Sequence, residues 1–113
     1  MVIPVEYAIQ TPDTEGSEEI WLEGVITELS ANGLSMSITN DIPPETSLLL
    51  KFQLPEPVTD LHIRGEIQRV EDQQEDKSQV VAFYPDIPNK LRETIMRYLV
   101  NRQRVELRGE QLI

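Results

Sequence analysis

The sequence predicts a mainly β domain: a small antiparallel barrel or sandwich of six strands, followed by one C-terminal helix. Three observations carry that reading. Apolar and polar residues alternate in strand-length runs through most of the first 85 positions. Turn-forming clusters (Asn-Gly, Pro-Pro, Pro-Glu-Pro) break those runs at hairpin spacing. Past residue 86 the apolar spacing changes to that of a helix. The 113 residues suit a single domain over 1–113, with strands within about 2–85 and a helix over about 87–107.

Taken in order, Ile3, Val5, Tyr7 and Ile9 alternate with Pro4, Glu6, Ala8 and Gln10, the pattern of a half-buried strand. Pro4 has no N–H to donate, which predicts an edge or the start of a strand. Thr11 to Glu19 reads as an acidic loop, and Ile20 to Leu29 as a second strand. Ser30-Ala31-Asn32-Gly33 then links it to the alternating Leu34, Met36 and Ile38; Asn and Gly accept positive φ at low cost, so this is a hairpin. Asp41 to Glu45 (DIPPE) breaks the chain before Leu48, Leu50, Phe52 and Leu54 form the face of a fourth strand. A fifth comes next on Leu61, Ile63, Gly65 and Ile67. Residues 71–76 (EDQQED) read as a solvated turn, and Val80 to Tyr84 as the sixth strand. In the helix, Ile87, Leu91, Ile95, Tyr98 and Leu99 make one apolar stripe, with Asp86 as expected N-cap, Pro88 in the first turn and Gly109 as the stop.

Charge narrows the function. The chain carries 20 acids and 10 bases, a formal charge of −10, and residues 1–50 hold nine acids and no Lys, Arg or His. Binding to nucleic-acid polymers or anionic lipid depends on Lys and Arg neutralising phosphates, so neither is expected. No apolar run reaches the ~20 residues that span a bilayer, and the N-terminus lacks the order of a signal peptide. The absence of cysteine excludes disulfides, thiolate metal sites and a Cys nucleophile, and fits a cytoplasmic protein. His62, the sole histidine, falls on the polar face of its strand, and no Gly-rich phosphate loop is present. Asp72, Glu75 and Asp76 lack the spacing of a calcium loop. No enzyme, metal site or cofactor is expected.

The segment Gly24 to Ile38, GVITELSANGLSMSI, holds Glu28-Leu29-Ser30-Ala31-Asn32-Gly33. It resembles the second signature of the PilZ domain, Asp/Asn-x-Ser-x-x-Gly, from the bacterial receptor family for the dinucleotide c-di-GMP. The likeness extends to Leu34-Ser35-Met36, Leu48 to Leu54, Ile63-Arg64-Gly65-Glu66-Ile67, Val80 to Phe83 and the helix Ile95 to Arg104. It implies a six-stranded antiparallel PilZ-like barrel with one C-terminal α-helix, and assigns Glu28, Ser30 and Gly33 to a remnant of the c-di-GMP motif. Read without the likeness, Ser, Asn and Gly are what any hairpin turn uses.

The sequence also departs from the family pattern. An Arg-x-x-x-Arg that clamps phosphate and stacks on guanine should precede the first strand, yet the chain reads Met1-Val2-Ile3, with the second arginine's place near Val2. Glu28 stands where Asp or Asn leads the second signature, one methylene longer. Arg64 and Arg69 have opposite parity and are expected on opposite strand faces. The expectation is therefore a PilZ-like regulatory or interaction module of c-di-GMP-related signalling (motility, attachment or secretion control), with nucleotide binding weak or lost. Two alternatives stay open: a genuine c-di-GMP receptor whose arginine motif lies outside this chain, and a structural or assembly β-barrel unrelated to c-di-GMP. A second apolar stripe, Met96, Val100 and Leu107, rimmed by Arg92, Arg97 and Arg104, is a candidate surface for a protein partner or a homodimer, or else a helix face covered on both sides.

Overall fold

The computed structural model describes residues 2–10, 20–39, 42–55, 58–74 and 76–111, the side chains of 72–74 and 105–111 excepted. Six strands appear in chain order: β1 (Ile3–Gln10), β2 (Leu22–Leu29), β3 (Gly33–Ile38), β4 (Ser47–Leu54), β5 (Thr59–Gln74) and β6 (Lys77–Phe83), followed by helix α1 (Asn89–Gln111). They close into a barrel in the order β1-β2-β3-β6-β5-β4, and every neighbouring pair is antiparallel. The acidic loop expected over Thr11–Glu19 lies outside the described residues.

The alternation in the sequence decides which side chains enter the barrel. Ile3, Val5 and Tyr7 of β1 meet Leu34, Met36 and Ile38 of β3, Leu48 to Leu54 at alternate positions of β4, and Leu61, Ile63 and Ile67 of β5 in one core. All are 5% exposed or less. Each such side chain contributes roughly 1.5–3 kcal/mol by leaving water. On α1, Ile95 is fully buried, and Leu91, Tyr98 and Leu99 pack beside it against the same core. The first apolar stripe is therefore the one that covers the barrel.

Closure decides between the two places expected for Pro4: it stands at the start of its strand, as the second residue, and not on an edge, since β1 pairs with β2 on one side and β4 on the other. The turn expected over 71–76 is also shorter: β5 runs to Gln74 and β6 resumes at Lys77, with Gln74 facing Lys77. The helix begins later than expected. The Pro88 carbonyl accepts the N–H groups of Leu91 (3.0 Å) and Arg92 (3.1 Å), so Pro88 and not Asp86 occupies the cap position. The Asp86 carboxylate lies instead 3.7 Å from the Arg64 guanidinium. At the far end the helix runs through Gly109 to Gln111.

Three irregularities position the candidate site. Register shifts fall between Ile26 and Glu28 of β2, between Ile67 and Arg69 of β5, and between Val70 and Asp72 of β5. Each inserts a residue that the facing strand does not match, and the first two reverse the in–out parity of the residues beyond them. No described helix is long and apolar enough to cross a membrane.

Candidate functional site

The hairpin joining β2 to β3 is held from within. Ser30 donates its hydroxyl to the Gly33 carbonyl (3.0 Å) and accepts the N–H groups of Asn32 (3.3 Å) and Gly33 (3.2 Å), while its own N–H donates to the Gly33 carbonyl at 2.9 Å. The hydroxyl is thus fully used in the turn. The Asn32 carbonyl accepts the N–H of Tyr84 at 3.0 Å, tying the hairpin tip to the end of β6.

Gly33 is needed for a reason that differs from the one its sequence suggests. Its φ is not in the left-handed region, and among the described non-glycine residues only Glu45 (φ 70°) is. What Gly33 provides is a close approach. A Cβ there would lie 2.3 Å from the Ala82 carbonyl oxygen and 3.1 Å from Phe83 Cα. The pairing of β3 with β6 at Gly33↔Phe83 and Leu34↔Ala82 depends on that missing carbon.

A hollow of about 470 Å³ opens on the outer face between this hairpin, the end of β6 and the bulged part of β5. Glu28, Ser30, Asn32 and Gly33 line it from the hairpin side, and Gln68, Arg69 and Glu71 from β5. The three residues assigned to the motif remnant are therefore brought together. Behind them, Thr27 in the β2 bulge donates to the Ser35 carbonyl (3.3 Å) and accepts from the Gln79 amide (2.6 Å), which pins the bulge.

Sequence parity misplaced Arg69. The extra residue between Ile67 and Arg69 turns Gln68 and Arg69 both outward, so Arg69 and Arg64 are both exposed and Arg69 enters the hollow. Its Nε and Nη2 both donate to Glu71 Oε1, at 2.9 and 2.7 Å. The lining thus holds one guanidinium, already paired, and two carboxylates. Phe83, 36% exposed, adds an aromatic ring at the rim.

A larger hollow of about 860 Å³ lies over β1 and holds none of these residues. Glu23, Glu6, Lys51 and His62 succeed one another across β2, β1, β4 and β5 on its wall. Val2, where the family pattern would place an arginine, is 78% exposed and lines this second hollow. Lys51 sits 5.2 Å from the centre of the Trp21 ring. The wall mixes both signs of charge. Among the described residues no group of His, Cys, Asp or Glu could hold a metal ion.

On the helix, Met96 and Val100 face outward at 49% and 46% exposure, and Arg97 and Arg104 are exposed beside them. Arg92 is half-buried, with its Nε enclosed and unpaired among the described residues, so it belongs to the helix flank more than to an open rim. The Leu107 side chain lies outside the described residues.

Residues 3–101 match the family described as PilZ domain. No curated protein matches the chain. Among solved structures it resembles that of the Bacillus subtilis inhibitor of motility MotI/DgrA, at 20% identity and a TM-score of 0.67. The likeness covers 91% of this chain and 47% of the other, so this chain spans under half the length of its neighbour.

Proposed function

Because the chain belongs to the PilZ domain family, we propose that it is a cytoplasmic bacterial regulatory module of c-di-GMP-related signalling in which the dinucleotide binds weakly or not at all. One observation carries this reading. The hollow formed by Glu28, Ser30 and Gly33 offers two carboxylates and a guanidinium already engaged by Glu71, where a dianionic ligand needs free positive charge. The Ser30 hydroxyl, which donates once and accepts twice within the turn, has no capacity left to compensate. Calorimetric titration of the chain with c-di-GMP tests it: binding weaker than about 100 μM, some 5.5 kcal/mol of free energy, is expected. Low-micromolar affinity would overturn the reading and favour a genuine receptor.

The output of such a module is a protein contact, and the helix face around Met96 and Val100 is the surface that fits one. Between residues 89 and 104 the helix carries five bases and one acid on a chain of net charge −10. That contrast favours a partner presenting an apolar patch with an acidic rim. The solved neighbour is an inhibitor of motility, which makes a motility component the first partner to test. The double variant Met96→Glu/Val100→Glu is expected to fold normally and to lose control of swimming in the host bacterium. Unchanged swimming control would remove the surface from consideration, and a monomer–dimer shift in sedimentation would reassign it to a second copy.

A further inference from the structure

We infer that Arg69 is the phosphate-contacting cation of the hollow beside the β2–β3 hairpin, and that Glu71 is its built-in competitor, holding the hollow shut to anionic nucleotides. The inference rests on the reading of that hollow as the nucleotide site and adds to it a residue that belongs to no signature of the chain.

The register shift at Gln68 delivers this arginine. Without the extra residue, Arg69 would share the inward parity of Ile63 and Ile67; with it, the guanidinium stands on the outer face across the hollow from Glu28. Glu28 pairs with Ser35, Ser35 with Val81 and Val81 with Arg69, so the two charges mark the ends of one row across four strands. Within that span lie the exposed Phe83 ring, the Asn32 and Gln68 amides and the backbone of Gly33. An aromatic face, planar amides and a guanidinium suit a purine nucleotide: the ring stacks on the base, an amide meets its edge, and the guanidinium takes a phosphate oxygen.

Arg69 is not spent. Its pair with Glu71 uses two of the five guanidinium N–H groups on a single carboxylate oxygen, and both side chains are well exposed, at 60% and 43%. Ion pairs this exposed are weak, worth at most about 1 kcal/mol. A phosphate can therefore displace Glu71, but it must then sit beside the displaced carboxylate. Removing that charge frees the arginine and ends the repulsion together.

The test is the affinity of the full chain for c-di-GMP, measured by titration at low salt for the native protein, Glu71→Gln, Glu71→Ala and Arg69→Gln/Glu71→Gln. Both single variants are expected to bind roughly fivefold to tenfold more tightly than the native chain, the gain of about one unit charge near a phosphate at the surface. The gain should shrink as ionic strength rises toward about 0.5 M. The double variant should return to native affinity or below. Single variants that bind no more tightly than the native chain, or a double variant as tight as Glu71→Gln, would overturn the inference. Tight binding by the native chain instead removes the weak-binding reading, and leaves the comparison among variants to decide the role of Arg69.

Discussion

The β2–β3 hairpin and the outward face of α1 differ in what they keep. The hairpin borders a hollow of about 470 Å³, yet the charge around it opposes an anion: Glu28 and Glu71 stand beside an Arg69 that is paired with Glu71. The outward face of the helix holds an excess of positive charge and two exposed apolar side chains, Met96 and Val100. The contrast teaches that shape and chemistry are separable here. Hairpin shape is enforced by packing, through Gly33 against Ala82 and Ser30 within its own turn, so it persists whatever the hollow binds. Met96 and Val100 are not needed to cover the barrel, so they are free to serve a contact.

The largest expected effect separates the two faces of the helix. Ile95→Ala, which empties a fully buried position, should cost ~3 kcal/mol in denaturant unfolding. Met96→Ala, one residue further and half exposed, should change stability by less than about 0.5 kcal/mol. Comparable costs at both positions would mean that the outer stripe is covered, and the contrast between helix and hairpin would collapse.

Next comes the hairpin. Gly33→Ala forces a carbon against the Ala82 carbonyl oxygen, a backbone atom that cannot step aside as a side chain can. The expected loss is about 2 kcal/mol, with amide exchange accelerated along β3 and β6. A neutral substitution would show that the approach of β3 to β6 does not depend on the missing carbon.

These residues also mark how far the sequence could be read. Strand identity was legible, because alternation at period two reports local burial, and β1 to β4 and β6 fall where the apolar runs place them. The helix stripe was legible for the same reason. Cross-strand relations were not. A bulge is one unmatched residue with no compositional mark, so Arg69 was placed on the wrong face. The sequence suggests a positive φ for Gly33, whereas the close approach to Ala82 that requires a glycine depends on a strand far away in the chain. The sequence places Glu28, Ser30 and Gly33 within one six-residue turn, but that Glu71 lines the same hollow follows only from the pairing of distant strands.

Tyr84 joins the two regions, its N–H held by Asn32 at the hairpin tip just before the chain enters the helix. Burial pushes its phenol well above the ordinary value of 10, because the phenolate would be desolvated. The folded state therefore holds the proton more tightly than the unfolded one. Stability from this group is complete below about pH 10 and declines as pH rises beyond it, by up to about 1.4 kcal/mol per pH unit. Tyr84→Phe should flatten that decline in alkaline unfolding curves, and an unchanged slope would place the sensitivity elsewhere.

The smallest effect is the most discriminating. Ser30 stands at the position where the family signature has its serine, and a ligand role predicts that removing the hydroxyl weakens nucleotide binding. Its geometry here predicts otherwise: the oxygen accepts two N–H groups of the turn and its proton goes to the Gly33 carbonyl. Ser30→Ala should therefore cost about 1 kcal/mol of stability, and should leave the c-di-GMP affinity of the Glu71→Gln background unchanged. If affinity falls while stability holds, the hydroxyl leaves the turn to meet a ligand, and the hairpin keeps chemistry as well as shape.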